Sequence, residues 1–124
     1  MMDDSLLLEN QICFRIYSLE RAIQQAYMPL LGSLDITYPQ YLVLLVLWEK
    51  GELTVGQLCE ILGLDTGTVS PLVKRLERKM LIERTRLPSD ERRVLITLTP
   101  KGEALEIRAK SIPHDLIHAL SGKQ

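Results

Sequence analysis

Thr54-Val55-Gly56-Gln57-Leu58-Cys59-Glu60-Ile61-Leu62-Gly63-Leu64-Asp65-Thr66-Gly67-Thr68-Val69-Ser70-Pro71-Leu72-Val73-Lys74-Arg75-Leu76-Glu77-Arg78-Lys79 holds two apolar stripes at helical spacing, parted by one glycine. Thr54 suits the N-cap of a short helix on which Val55, Leu58, Cys59 and Leu62 face inward. Gly63 ends it. Capping chemistry at Asp65 and Thr66 restarts a helix through Lys79, with Gly67 in its first turn and Val69, Leu72, Val73 and Leu76 as its stripe. The first helix braces the second through Leu58, Leu62, Val69 and Leu72, leaving the second free to present a polar face.

Downstream, Leu81 to Leu87 alternates as a strand, Pro88-Ser89-Asp90 is a turn, and Arg93 to Leu98 alternates again with Val94, Ile96 and Leu98 on one face. Helix, tight turn, helix and basic hairpin is the order of a winged helix-turn-helix. Thr99-Pro100 opens another helix. Pro113 is expected to break it, leaving a short final turn from Asp115 to Leu120. Upstream, Leu6 to Leu31 reads as one long helix, with Ile12, Ile16, Leu19, Ile23, Ala26 and Leu30 in a stripe and an end or bend at Pro29 and Gly32. Thr37 caps a further helix whose run Tyr41 to Trp48 is apolar nearly all round, which marks a helix buried on most sides. Lys50-Gly51-Glu52 closes it. The expected fold is mainly α (α+β), a single domain over 1–124. Its winged helix-turn-helix spans 37–98 and the long flanking helices lie at 1–36 and 99–124.

At 46 % hydrophobic and 25 % charged, the 124 residues match one globular domain with a modest core. No apolar run reaches the roughly 18 residues that span a bilayer, and Asp3 and Asp4 stand where a secretory signal would be basic. A cytoplasmic protein without membrane contact is expected. Cys13 and Cys59 form no CxxC pair and have no histidine at metal spacing. Neither a metal nor a cofactor is expected, and His114 and His118 lack further ligands. Cys59 lies on the apolar stripe of its helix and reads as core.

The net charge of −1 argues against nucleic acid until it is mapped. From Asp65 to Lys101 nine Lys and Arg face five acids, a balance of +4, which leaves −5 for the rest. A basic segment on an acidic body is an electrostatic footprint for phosphate. Thr66, Thr68 and Ser70 are short hydrogen-bonding residues near the start of the second helix. Lys74, Arg75 and Arg78 further along suit phosphate or guanine. The hairpin tip Asp90-Glu91-Arg92-Arg93 can carry an arginine into an adjacent minor groove. The expected partner is double-stranded operator DNA.

Thr54 to Thr99, with Asp90-Glu91-Arg92 in the wing, resembles the multiple-antibiotic-resistance regulator (MarR) family of dimeric bacterial repressors, and the likeness covers nearly the whole chain. It implies a homodimer in which Arg92 is the minor-groove residue and Asp90 orients it. Within that family, Glu9-Asn10-Gln11-Ile12-Cys13-Phe14 and Leu34 to Leu44 look like the organic hydroperoxide resistance regulators. The resemblance implies that Cys13 is a redox sensor supported by Tyr17, Tyr27 and Tyr38, the last two reaching it from the partner subunit. The chemistry suits those residue types. Only the thiolate attacks peroxide, a free cysteine of pKa about 8.5 is mostly thiol at neutral pH, and phenol donors favour the charged form. His118 stands where some relatives place a second, resolving cysteine. That departure implies a one-cysteine mode in which a small thiol caps the sulfenic acid. Relatives continue with a further helix that completes the dimer interface, and the sequence here ends at Gln124. The predicted function is a repressor, not an enzyme, that releases operator DNA when an organic hydroperoxide oxidises Cys13. A regulator answering to a phenolic or other small apolar ligand, a thiol peroxidase and a protein-interaction module stay open as alternatives.

Overall fold

The computed structural model describes residues 3–121, with the side chains of 90–92 outside that description. Two short 3-10 turns, Asp4–Leu6 and Leu8–Asn10, precede α1 (Ile12–Gly32). The long first helix therefore begins six residues later than its apolar pattern predicts. Polar side chains near the start offer the backbone other partners, which is how such residues compete with helix. The Asp3 carboxylate accepts from the Ser5 N–H, and the amides of Asn10 and Gln11 donate to the carbonyls of Asp4 and Ser5 at 2.8 and 2.6 Å. Pro29 lies inside the last turns of α1, and the chain leaves through a turn with Asp35 at φ 57.

Helix α2 (Tyr38–Lys50) starts on a reciprocal capping box. The Thr37 hydroxyl accepts from the Gln40 N–H, and the Gln40 side chain accepts from the Thr37 N–H. Tyr41, Val43, Leu44 and Leu47 are buried, as the apolar run predicts. After Gly51 a two-residue strand, β1 (Leu53–Thr54), leads directly into α3 (Val55–Leu62), where Thr54 and Gln57 repeat the capping box. Gly63 closes α3 in the left-handed conformation (φ 67) that only glycine adopts without strain. Helix α4 (Thr66–Arg78) buries Val69, Leu72, Val73 and Leu76. Pro71 lies inside it and supplies no N–H to the ladder.

Strands β2 (Ile82–Leu87) and β3 (Asp90–Leu98) pair antiparallel from Ile82 opposite Leu98 to Arg86 opposite Val94. A register shift then sets Leu87 against Asp90, so the turn is Pro88-Ser89 and β3 begins three residues earlier than expected. β1 adds to the free edge of β3, giving the order β1-β3-β2. The pattern did not announce β1, because two residues carry no alternation. Helix α5 (Pro100–Ala109) is capped by Thr99, whose hydroxyl accepts from the Gly102 N–H and donates to the Met80 carbonyl. A Cβ at Gly102 would overlap the Leu81 carbonyl, so glycine lets α5 lie on the end of β2.

The C-terminal expectation is corrected. The break falls at Lys110-Ser111, and Pro113 occupies the second position of a full helix, α6 (Ile112–Leu120). Proline needs no N–H partner in a first turn, so it starts this helix and does not stop the previous one. The core gathers Leu44, Leu47, Leu58, Val69, Leu76, Ile82 and Ile96 from five elements. The Trp48 indole N–H closes it against α5 by donating to the Gly102 carbonyl at 3.0 Å. Among the described residues no helix is long and apolar enough to cross a membrane.

Candidate nucleic-acid interface and sulfur site

The buried stripe of α4 fixes what it shows outward. At about 100° per residue, Gly67, Pro71, Lys74 and Arg78 fall opposite that stripe, with Thr68 and Arg75 to one side and Ser70 to the other. Thr68, Lys74, Arg75 and Arg78 are exposed and Ser70 is half-buried. Two of the short polar residues already have partners. The Thr68 hydroxyl donates to the Asp65 carboxylate, and that bond holds the Asp65 carboxyl below the usual range. The Thr66 hydroxyl lies 3.9 Å from the Cys59 sulfur. Cys59 itself is half-buried and packs against the core.

Beside this face the wing is pinned to α4. The Arg84 guanidinium of β2 bonds the Glu77 carboxylate at 2.9 and 3.0 Å. Sequence reasoning missed this pair, because seven residues and a turn separate its members and neither stands out by type. The expected roles of Asp90 and Arg92 rest on side chains outside the described residues.

The tyrosines divide. Tyr27 of α1 and Tyr38 of α2 meet with ring centroids 4.9 Å apart, and Tyr41, not singled out from sequence, joins them at 5.7 Å from Tyr27. Burial pushes the Tyr27 and Tyr41 phenols up, with smaller contributions from neighbouring phenols, so both hold their protons at neutral pH. Tyr27 and Tyr38 line a cavity of about 320 Å³ with Met28, Leu31, Ile36 and Pro39. Cys13 lies elsewhere. It is exposed in the first turn of α1, one turn from Tyr17. Fourteen residues of one helix separate it from Tyr27, a rise of about 21 Å, so one chain cannot bring that sulfur to that phenol. Around Cys13 the helix shows bare apolar side chains: Ile12, Ile16 and Leu19 are 72, 61 and 59 % exposed. Among the described residues no group of three His, Cys, Asp or Glu side chains is placed to hold a metal ion.

A model described as the MarR family matches residues 36–94. The organic hydroperoxide resistance transcriptional regulator of Bacillus subtilis (strain 168) is 49 % identical over 114 residues, covering 92 % of this chain and 78 % of its own. The HTH-type transcriptional regulator TtmR of Methylorubrum extorquens (strain PA1) is 46 % identical over 112 residues. That match covers 90 % of this chain and 57 % of TtmR, so the chain spans little more than half of that relative. A crystal structure of overoxidised AbfR bound to DNA superposes with a TM-score of 0.80 at 40 % identity, over 86 % of this chain and 79 % of that one.

Proposed function

The chain belongs to the MarR family of transcriptional regulators, and from that premise we propose that it is a dimeric repressor which leaves operator DNA when an organic hydroperoxide oxidises Cys13. The observation that carries this reading is the placement of the sulfur. Cys13 is exposed beside a bare apolar stripe with Tyr17 one turn away, while Tyr27 and Tyr38 form a separate cluster out of its reach within one chain. A second copy laid against α1 supplies the missing donors and covers the bare stripe. The Cys13 thiolate attacks the terminal peroxide oxygen, the O–O bond breaks, sulfur is oxidised to sulfenic acid, and the alkoxide leaves and takes a proton. A small thiol then condenses with the sulfenic acid, giving a mixed disulfide and water. Bulk and polarity at a packed sulfur change the spacing of the two DNA-reading heads.

On DNA the exposed face of α4 occupies the major groove, with Lys74, Arg75 and Arg78 on phosphate or guanine and Thr66, Thr68 and Ser70 near base edges. Asp90 and Arg92 serve the adjacent minor groove, as the family likeness implies. Two half-sites about 34–36 Å apart match a dimer on one face of the duplex. The resemblance to an organic hydroperoxide regulator supports the trigger, and the resemblance to a DNA-bound AbfR supports the DNA contact.

Replacing Cys13 tests it. Cumene hydroperoxide is expected to weaken wild-type operator binding by about tenfold to a hundredfold and to leave Cys13→Ser on the DNA. With a small thiol present, mass spectrometry of peroxide-treated wild-type Cys13 is expected to show the thiol-capped form. Release of Cys13→Ser by the peroxide would sink the sensor reading. It would favour a second one that the 320 Å³ tyrosine-lined cavity supports, a regulator answering to a small apolar or phenolic ligand.

A further inference from the structure

The C-terminal end of α4 is held by a side chain that belongs neither to the DNA-facing set nor to the tyrosines. Lys79 follows the last residue of α4. Its ammonium donates to the Asp35 carbonyl and, at 3.0 Å, to the Gln40 side-chain oxygen. Asp35 lies in the segment that joins α1 to α2, and Gln40 in the first turn of α2. Gln40 is only 3 % exposed, and the same oxygen accepts the Thr37 N–H at 3.1 Å, which closes the capping box beside Tyr38. Asp35 holds a positive φ, a conformation that aspartate tolerates, and its carbonyl meets the ammonium. On the other side the Lys79 carbonyl accepts from the Lys101 ammonium at 3.1 Å. Lys79 thus joins the end of α4, the start of α2 and the first turn of α5. A compact ammonium with three donors suits this task, because it can bridge two oxygens a guanidinium would push apart.

We propose that Lys79 is a positioning residue that couples the Tyr27–Tyr38 cluster to the DNA-reading helix. A displacement of Tyr38 moves the first turn of α2. That turn carries the Gln40 oxygen, and the ammonium transfers the shift to the end of α4 that bears Arg75 and Arg78. The apolar stripe of α4 packs on α2 and α3, and the ammonium adds a polar tie at the C-terminal end of the helix. The inference deepens the proposed function and rests on it for the origin of the displacement. The bridge itself is tested without peroxide.

The experiment is a double-mutant cycle on the reduced full chain, using Tyr38→Ala, Lys79→Met and the pair. Affinity is measured at one salt concentration for a duplex selected from random DNA by the wild-type protein. Lys79→Met keeps the apolar stem and removes the donors. Tyr38→Ala is expected to weaken binding of the parent protein about fivefold or more, and the Lys79→Met protein by much less. Equal factors in the two backgrounds, a factor of one included, overturn the proposal. A merely structural lysine lowers affinity in both backgrounds alike and leaves the cycle additive. Should Lys79→Met not fold, Lys79→Gln enters the same cycle with the same two outcomes, since its shorter amide cannot reach both oxygens. Because no oxidant is present, failure of the Cys13 reading and failure of the bridge give separate results.

Discussion

Helices α1 and α4 carry apolar stripes of the same kind, and the molecule treats them oppositely. On α4, Val69, Leu72, Val73 and Leu76 are buried by α2, α3 and the wing of the same chain. On α1, Ile12, Ile16 and Leu19 lie bare, and Leu31 is the one buried residue among those described. Ile107 on α5 and Ile117 and Leu120 on α6 are exposed as well. The head is therefore a finished core, while the arm is an amphipathic surface that lacks its other half. Each bare Ile or Leu covered by a second copy contributes about 1.5–3 kcal/mol, enough for several together to drive association. The sulfur lies on the unfinished side and the polar face of α4 on the finished one.

Breaking the finished side should have the largest effect. Leu76→Ala leaves a cavity in the head and is expected to cost about 2–5 kcal/mol in urea unfolding, independent of protein concentration. Ile16→Ala should do the reverse. Its unfolding midpoint at high dilution is expected to stay near wild type, while the association constant read by sedimentation falls by about 1.5–3 kcal/mol. A concentration-independent loss there would show that the stripe packs within its own chain. A smaller effect separates local from tertiary support in the head: Thr54→Ala removes half of the α3 capping box, at an expected cost of about 1 kcal/mol.

The subtlest probe sits where arm meets head, at Tyr27 and Tyr41. Burial raises both phenols, so the folded chain holds protons that the unfolded chain releases near pH 10. Their contribution to stability is complete below about pH 10 and is lost as pH rises through the raised folded values. The thermal midpoint should fall above about pH 10 in wild type, and less steeply in Tyr41→Phe. Identical slopes would mean that the phenols titrate as if free.

Much of the fold was legible because it is written over short distances. The N-caps at Thr37 and Thr54, the glycine at the end of α3, the stripe of α4 and the hairpin depend on residues at most a few positions apart, whereas the Gln40 and Gln57 halves of the capping boxes came from the structure. The misreadings have local causes of another kind. Asn10 and Gln11 spend their amides on backbone carbonyls and delay α1, and Pro113, a stop by sequence pattern, serves as a start. Of the candidate site, the polar face of α4 followed from its stripe. The engagement of Thr68 by Asp65, the Glu77–Arg84 pin and the entry of Tyr41 into the cluster did not.

By itself the chain determined the central helices, the hairpin and which face of α4 stays polar, because hydrophobic period and capping act within a turn or two of the backbone. Only the tertiary structure decided that β1 pairs with β3, that Tyr27 meets Tyr38 while Cys13 stays a helix length away, and that Lys79 reaches Asp35 and Gln40. Those contacts join residues up to 44 positions apart. They depend on how finished elements pack against one another, a choice made by the whole core that no local pattern records.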